Sequence, residues 1–132
     1  MHLNTMKCLS LAALIAALPT LAVAAEPQGV WQGLIQQANS DVALRLTFAP
    51  QLVRLHFNEP LSCDVPARFL KADGDTLIYR FAPSVNGGRF CDGVLNHDLR
   101  IKVAAEPKRE LDLVFDGPRS TWHGRLAPVT SP

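Results

Sequence analysis

The chain is poor in cysteine, in tyrosine and in net charge. Its 132 residues include three cysteines and one tyrosine, and 13 basic residues nearly balance 12 acidic ones. Nucleic acids and anionic membranes both reward a clustered positive surface, so this balance argues against either as the main partner. The sequence contains no GxSxG, HExxH, phosphate-binding glycine loop or dinucleotide fingerprint. We therefore predict a protein that is not an enzyme and that uses no cofactor or metal.

Long apolar runs are also scarce, and the one that exists lies near the start. It extends from Cys8 to Leu18, behind the positive charge of Lys7. At roughly eleven residues it is too short to span a bilayer, which needs about twenty. Small residues follow it, so residues 1–25 are predicted to be a secretory signal peptide, cleaved near Ala24 or Ala25. We expect a periplasmic or secreted protein without a stable membrane anchor, whose residues 26–132 form a single domain.

Removal of this segment would change the charge and the cysteine count of the chain. Lys7 is its only charged residue, so 13 − 1 leaves 12 basic residues against 12 acidic ones. Cys8 would leave as well, and Cys63 and Cys91 would remain. Two lone cysteines in an oxidising compartment are expected to form a disulfide. A reactive or metal-binding thiol pair is the alternative, which the lack of a CxxC spacing disfavours.

Alternation of apolar and polar residues with a period of two dominates the rest of the chain, and no segment has a convincing helical period. Asp73-Gly74, between two such runs, is a signal for a tight hairpin. Seven or eight short strands at spacings near ten residues predict an all-β fold, a small antiparallel barrel with one disulfide, or else a sandwich. The apolar faces of the clearest runs are Val42/Leu44/Leu46/Phe48, Val53/Leu55/Phe57, Leu77/Tyr79/Phe81, Leu99/Ile101/Val103, Leu111/Leu113/Phe115 and Trp122/Gly124/Leu126.

A repeated pattern predicts how such a barrel closes. Trp31 and Gly33 share one face of the first strand, and Trp122 and Gly124 share one face of the last. Glycine within a strand is typical of a bend or of a close approach between backbones. If these two strands pair, the glycines would allow the sheet to curl shut, and each tryptophan would fill one end. Two unrelated tryptophan anchors in one core are the alternative.

The segment from Ala82 to Gly93 is the strongest candidate for a binding element. It combines flexible glycines, a cation and an aromatic ring beside the predicted disulfide. Arginine and aromatic residues are enriched among the anchors of protein interfaces, and a stapled loop binds at a lower entropic cost. We predict partner-binding roles for Asn86, Arg89, Phe90 and Asp92. The competing interpretation is a long hairpin connection with Phe90 packed inward.

Two other groups of polar residues have weaker functional interpretations. His56, His97 and His123, with a nearby aspartate such as Asp64, could form a metal or acid–base site, although exposed histidines on polar strand faces are ordinarily just solvated. A set of cations on outward positions could present a locally basic wall to an acidic partner, or could simply keep the barrel soluble. These cations are Arg45, Arg54, Arg80, Arg100, Lys102 and Arg125.

The order Trp31-x-Gly33, Cys63, Tyr79-x-Phe81, Gly88 before Cys91 and Gly124-Arg125-Leu126 resembles a small exported bacterial domain with one disulfide, of the lipocalin-like kind. The chain is also loosely similar to periplasmic inhibitors of metalloproteases and lysozymes. It departs from both, because the metalloprotease inhibitors place their disulfide near the first strand and the lysozyme inhibitors carry a Ser-Gly-Ala type loop. The resemblance implies a class of fold and of function, and it transfers no individual site residue.

Together these observations predict a non-enzymatic binding protein that inhibits or neutralises a protein partner, such as an envelope-acting hydrolase or a toxin. A lipocalin-like carrier of small ligands and a structural envelope protein are the alternatives. The abundance of apolar aromatic residues on the inward faces disfavours a carrier, since they would fill the interior of the barrel.

Overall fold

The computed structural model describes residues 12–17, 25–105 and 107–130. The predicted signal peptide lies mostly outside the described residues, and within it residues 12–17 have no regular secondary structure. No helix among the described residues is long and apolar enough to cross a membrane.

Eight antiparallel strands follow one another around a closed barrel, and each strand pairs with its neighbours in sequence. Strand β8 pairs in turn with β1, which completes the circle. The predicted barrel is therefore confirmed, with eight strands, and the sandwich alternative is not adopted. The strands are β1 (Gly29–Gln37), β2 (Ser40–Ala49), β3 (Leu52–Phe57), β4 (Cys63–Asp73), β5 (Thr76–Phe81), β6 (Asp98–Val103), β7 (Leu111–Asp116) and β8 (Thr121–Pro128).

One short helix, α1 (Arg89–Gly93), interrupts the all-β pattern between β5 and β6. The sequence analysis found no helical period there. The reason is the length of the helix, since five residues make little more than one turn of the 3.6-residue repeat.

The barrel has two distinct ends, because alternate connections of an antiparallel meander emerge on the same side. The disulfide end carries the connections 38–39, 58–62, 82–97 and 117–120. The amino-terminal end carries residues 25–28, the connections 50–51 and 74–75, and the described residues 104–105 and 107–110 between β6 and β7. Trp31 lies towards the amino-terminal end and Trp122 towards the disulfide end, and each side chain is only 6% exposed.

The β1–β8 seam depends on two glycines that face the interior. A Cβ atom on Gly33 would lie 2.2 Å from the carbonyl oxygen of Arg125, and one on Gly124 would lie 2.5 Å from the carbonyl oxygen of Leu34. Backbone atoms cannot yield as a flexible side chain can, so any larger residue would push the two strands apart. The seam closes because neither position carries a side chain.

Side chains fill the interior of the barrel. Tyr79, Phe57, Phe81 and Phe115 are among its largest members, and each is at most 2% exposed. Phe115 packs edge to face with both Phe57 and Phe81, at centroid distances of 5.9 and 5.4 Å. Such aromatic pairs add to the stabilisation from area burial alone. The core is thus a continuous packed cluster along the barrel axis.

Candidate functional site

The disulfide joins the start of β4 to α1 and holds the helix over one end of the barrel. Cys63 and Cys91 are bonded, with their Cα atoms 6.1 Å apart, which confirms the predicted pair. Both cysteines are almost fully buried, and Val94, directly after the helix, is buried too. The segment that follows β5 is therefore packed onto the disulfide end.

Phe90 extends from α1 onto the aromatic core. Its ring packs edge to face with Phe57 at 5.1 Å, with Trp122 at 5.7 Å and with Phe115 at 6.2 Å between centroids. The side chain nevertheless remains partly exposed. Phe90 is thus shared between the core and the surface.

A cleft of about 420 Å³ opens beside Phe90 at the disulfide end. Three connections and the ends of β1 and β8 form its walls, and this volume is within the range of sites that bind ligands. Its apolar lining includes Leu61, Phe90 and Trp122, and two guanidinium groups, of Arg89 and Arg119, lie at its edge. The remaining lining residues are Gln37, Pro60, Pro118 and Ser120.

The two arginines of this cleft have no acidic partner in the part of the chain that the structure describes. Neither guanidinium has a carboxylate oxygen within 4.0 Å, and both side chains are exposed. Proline, leucine and aromatic residues line the same cleft. The cleft therefore combines positive charge with an apolar floor.

Half of the cations of the predicted basic wall are neutralised by neighbouring carboxylates. Arg80 lies 3.2 Å from Asp98, Lys102 lies 3.5 Å from an oxygen of Asp75, and Arg125 contacts Asp112 as well as Glu110. A larger groove of about 770 Å³ runs along this wall. Lys102 and Arg125 line this groove and belong to these pairs, whereas Arg100 does not. We therefore place the candidate site at the cleft of the disulfide end.

The other two predicted binding residues, Asn86 and Asp92, hold the loop in its conformation. The side-chain oxygen of Asn86 accepts a hydrogen bond from the backbone N–H of Asp64 at 3.3 Å. Asp92 accepts a hydrogen bond from the hydroxyl of Ser84. The structure thus brings Arg89 and Phe90 together in the cleft and places neither Asn86 nor Asp92 in its lining.

The three histidines lie apart from one another. His56 contacts Asp64 through Nδ1 at 2.7 Å, and Nδ1 of His97 lies 2.6 Å from the carbonyl oxygen of Asp116. His123 lies in the groove of the outer wall. Among the described residues, no group of three or more histidine, cysteine, aspartate or glutamate side chains is arranged to hold a metal ion.

Glu26 forms two hydrogen bonds near the amino-terminal end of the barrel. The hydroxyl of Tyr79 donates a hydrogen bond to Glu26 at 3.0 Å, and the other oxygen of Glu26 accepts one from the backbone N–H of Gln51 at 3.3 Å. Burial, together with the adjacent carboxylate, raises the pKa of Tyr79 well above its ordinary value. Residues just after the predicted cleavage site are therefore part of the folded domain.

Sequence reasoning did not identify Arg119, Leu61 or Trp122 as members of the cleft. Arg119 lies on the β7–β8 connection, 30 positions after Arg89, and nothing in their spacing relates them. The one available signal was the predicted barrel topology, which places alternate connections at the same end.

Comparison with known proteins adds no identification, since no family model, no curated protein and no solved structure matches this chain.

Proposed function

We propose that this chain is an exported, non-enzymatic binding protein that inhibits or neutralises a protein partner through its disulfide end. The partner class that we favour is an envelope-acting hydrolase or a toxin. The observation that supports this proposal most directly is the cleft that Arg89 and Arg119 line together with Phe90 and Trp122. Arginine and tryptophan, with tyrosine, dominate the energetic hot spots of protein interfaces.

The covalent staple supports the same proposal. The disulfide ties α1 to β4, so the arginine side chain at the start of the helix projects from a fixed backbone. A pre-ordered surface loses less conformational entropy on binding than a flexible loop does. A disulfide also suits an oxidising compartment, which agrees with the leader-like residues at the start of the chain.

The filled barrel favours an end surface over the interior as the binding site. Tyr79, Phe57, Phe81 and Phe115 occupy the axis that a lipocalin-like carrier would need to keep open for its ligand. Apolar dye that bound the native protein with high affinity would favour the carrier instead.

Capture of a partner tests the proposal when the arginines are compared with a matched pair. The full chain, its Arg89→Ala/Arg119→Ala variant and an Arg45→Ala/Arg54→Ala control are immobilised and exposed to periplasmic and secreted proteins. The control removes the same charge from exposed positions on β2 and β3. Phe90 is left intact, because its contacts with core aromatics would confound binding with stability.

The expected result is one stoichiometric partner, retained by the wild type and by the control and lost from the cleft variant. Its hydrolytic or toxic activity should fall when it is bound. Equal capture by both double variants would remove the cleft from this role, and no effect on the activity of a captured partner would argue against inhibition.

A further inference from the structure

We infer that the cleft at the disulfide end recognises an acidic, apolar peptide segment: a large apolar side chain flanked by carboxylates. This inference rests on the proposed function and names the chemistry of the epitope. It follows from two parts of the cleft that favour different chemical groups in a ligand. The exposed edge carries Arg89 and Arg119, and the more buried floor is apolar.

The two arginines at the edge of the cleft favour a negatively charged group in the ligand. On the outer wall, Arg80, Lys102 and Arg125 are each paired with a carboxylate of this chain, whereas Arg45, Arg54 and Arg100 have none within 4.0 Å among the described residues. Arg89 and Arg119 have no such pair within the described residues, although both border a single small cleft. Guanidinium groups bind planar oxyanions such as carboxylates through two parallel hydrogen bonds.

The more buried part of the cleft favours an apolar group beside those charges. Leu61, Phe90 and Trp122 line it together with Pro60 and Pro118, and Trp122 is almost completely buried. A desolvated apolar pocket gains its affinity from a side chain that fills it and excludes water. A cleft of about 420 Å³ is large enough for one aromatic or branched aliphatic side chain and its neighbours.

These two requirements favour a peptide over a polyanion. A nucleic acid is bound through many phosphate contacts, which call for a dense array of cations. Here the cleft has only two arginines in an otherwise uncharged lining, and the overall charge of the chain is close to balanced. A protein segment supplies carboxylates and an apolar side chain at adjacent positions.

The test uses two synthetic peptides that differ only in charge. The acidic probe is acetyl-Gly-Asp-Phe-Glu-Gly-amide, and its neutral match is acetyl-Gly-Asn-Phe-Gln-Gly-amide. Each is titrated into the isotope-labelled full chain, while calorimetry measures the affinity. The indole N–H resonance of Trp122 reports the cleft, and that of Trp31, at the other end of the barrel, is the internal reference.

We expect the acidic probe to shift the Trp122 resonance and to leave Trp31 unchanged. Its affinity should exceed that of the neutral probe by about tenfold or more, the factor that corresponds to one charge-assisted hydrogen bond. The Arg89→Ala/Arg119→Ala variant should abolish this preference, whereas the Arg45→Ala/Arg54→Ala control should preserve it.

Equal affinity for both probes, no shift of Trp122, or tighter binding of an oligothymidylate would each overturn the inference. These failures are distinguishable from failure of the proposed function. A partner captured through the two arginines, without any preference for the acidic probe, would retain the function and reject the epitope.

Discussion

The disulfide offers the sharpest test of how this small barrel is stabilised. Cys63 and Cys91 are separated by 28 positions, and the bond restricts the unfolded chain to a loop of that size. The chain-entropy relation gives about 3.6 kcal/mol at 25 °C for a loop of this length. Small domains typically have a total unfolding free energy of about 5–15 kcal/mol, so the bond supplies a substantial part of it.

The perturbation is the double substitution Cys63→Ala/Cys91→Ala, which leaves no free thiol from the pair. For a domain of about 105 residues, a loss of 3.6 kcal/mol corresponds to a fall in Tm of about 16 °C. Urea denaturation measures the unfolding free energy, and its slope should rise because the unfolded chain without a crosslink exposes more surface.

The reduced wild-type protein separates the crosslink from the packing of the two sulfur atoms. Because both cysteines are buried, it is prepared by unfolding in the presence of a reductant and refolding. We expect it to lose nearly as much stability as the double variant. A loss below about 1 kcal/mol in both forms would refute the loop-entropy argument, since it would place the effect below that of a typical single substitution.

Two further predictions concern the seam and the amino-terminal end. Gly33→Ala should lower the unfolding free energy in urea by about 3 kcal/mol, because its Cβ would meet the carbonyl oxygen of Arg125; an unchanged midpoint would contradict close backbone approach. Tyr79, the only tyrosine, should resist ionisation in the folded protein. Since its pKa is raised on folding, the unfolded chain releases the phenolic proton first, and stability should decline above about pH 10. The absorbance of tyrosinate and urea unfolding at increasing pH measure both effects, and Tyr79→Phe should remove the decline; ionisation near pH 10 in the native protein would contradict it.

Much of the fold could be predicted because its signals are local. Inward positions of the strands alternate along the chain, as in Val53, Leu55 and Phe57 of β3, and each alternation reflects burial on one face. The disulfide was predictable because only one pair of cysteines lies outside the apolar run near the start of the chain. Helix α1 was missed, because a five-residue helix contributes too few turns to form a pattern.

The candidate site was only partly predictable, because it is assembled from distant segments. The composition of the 82–93 loop pointed to Arg89 and Phe90, and both line the cleft. The same reasoning grouped Asn86 and Asp92 with them, whereas their side chains bond to neighbouring parts of the loop and of β4. Proximity in sequence does not specify the direction in which a side chain points. Hydrogen bonds hold Asn86 and Asp92 against other parts of the chain.

The sequence by itself determined the strand pattern, the turn at Asp73-Gly74 and the disulfide, because each depends on neighbouring residues or on a pair without competitors. Tertiary structure alone decided that the strands number eight, that β1 pairs with β8 in a closed barrel rather than a sandwich, and that Arg89 and Arg119 line one cleft. Those features depend on which backbones approach one another in space. Closing the sheet brings its first and last strands into contact, and it also gathers alternate connections at one end, where the cleft forms.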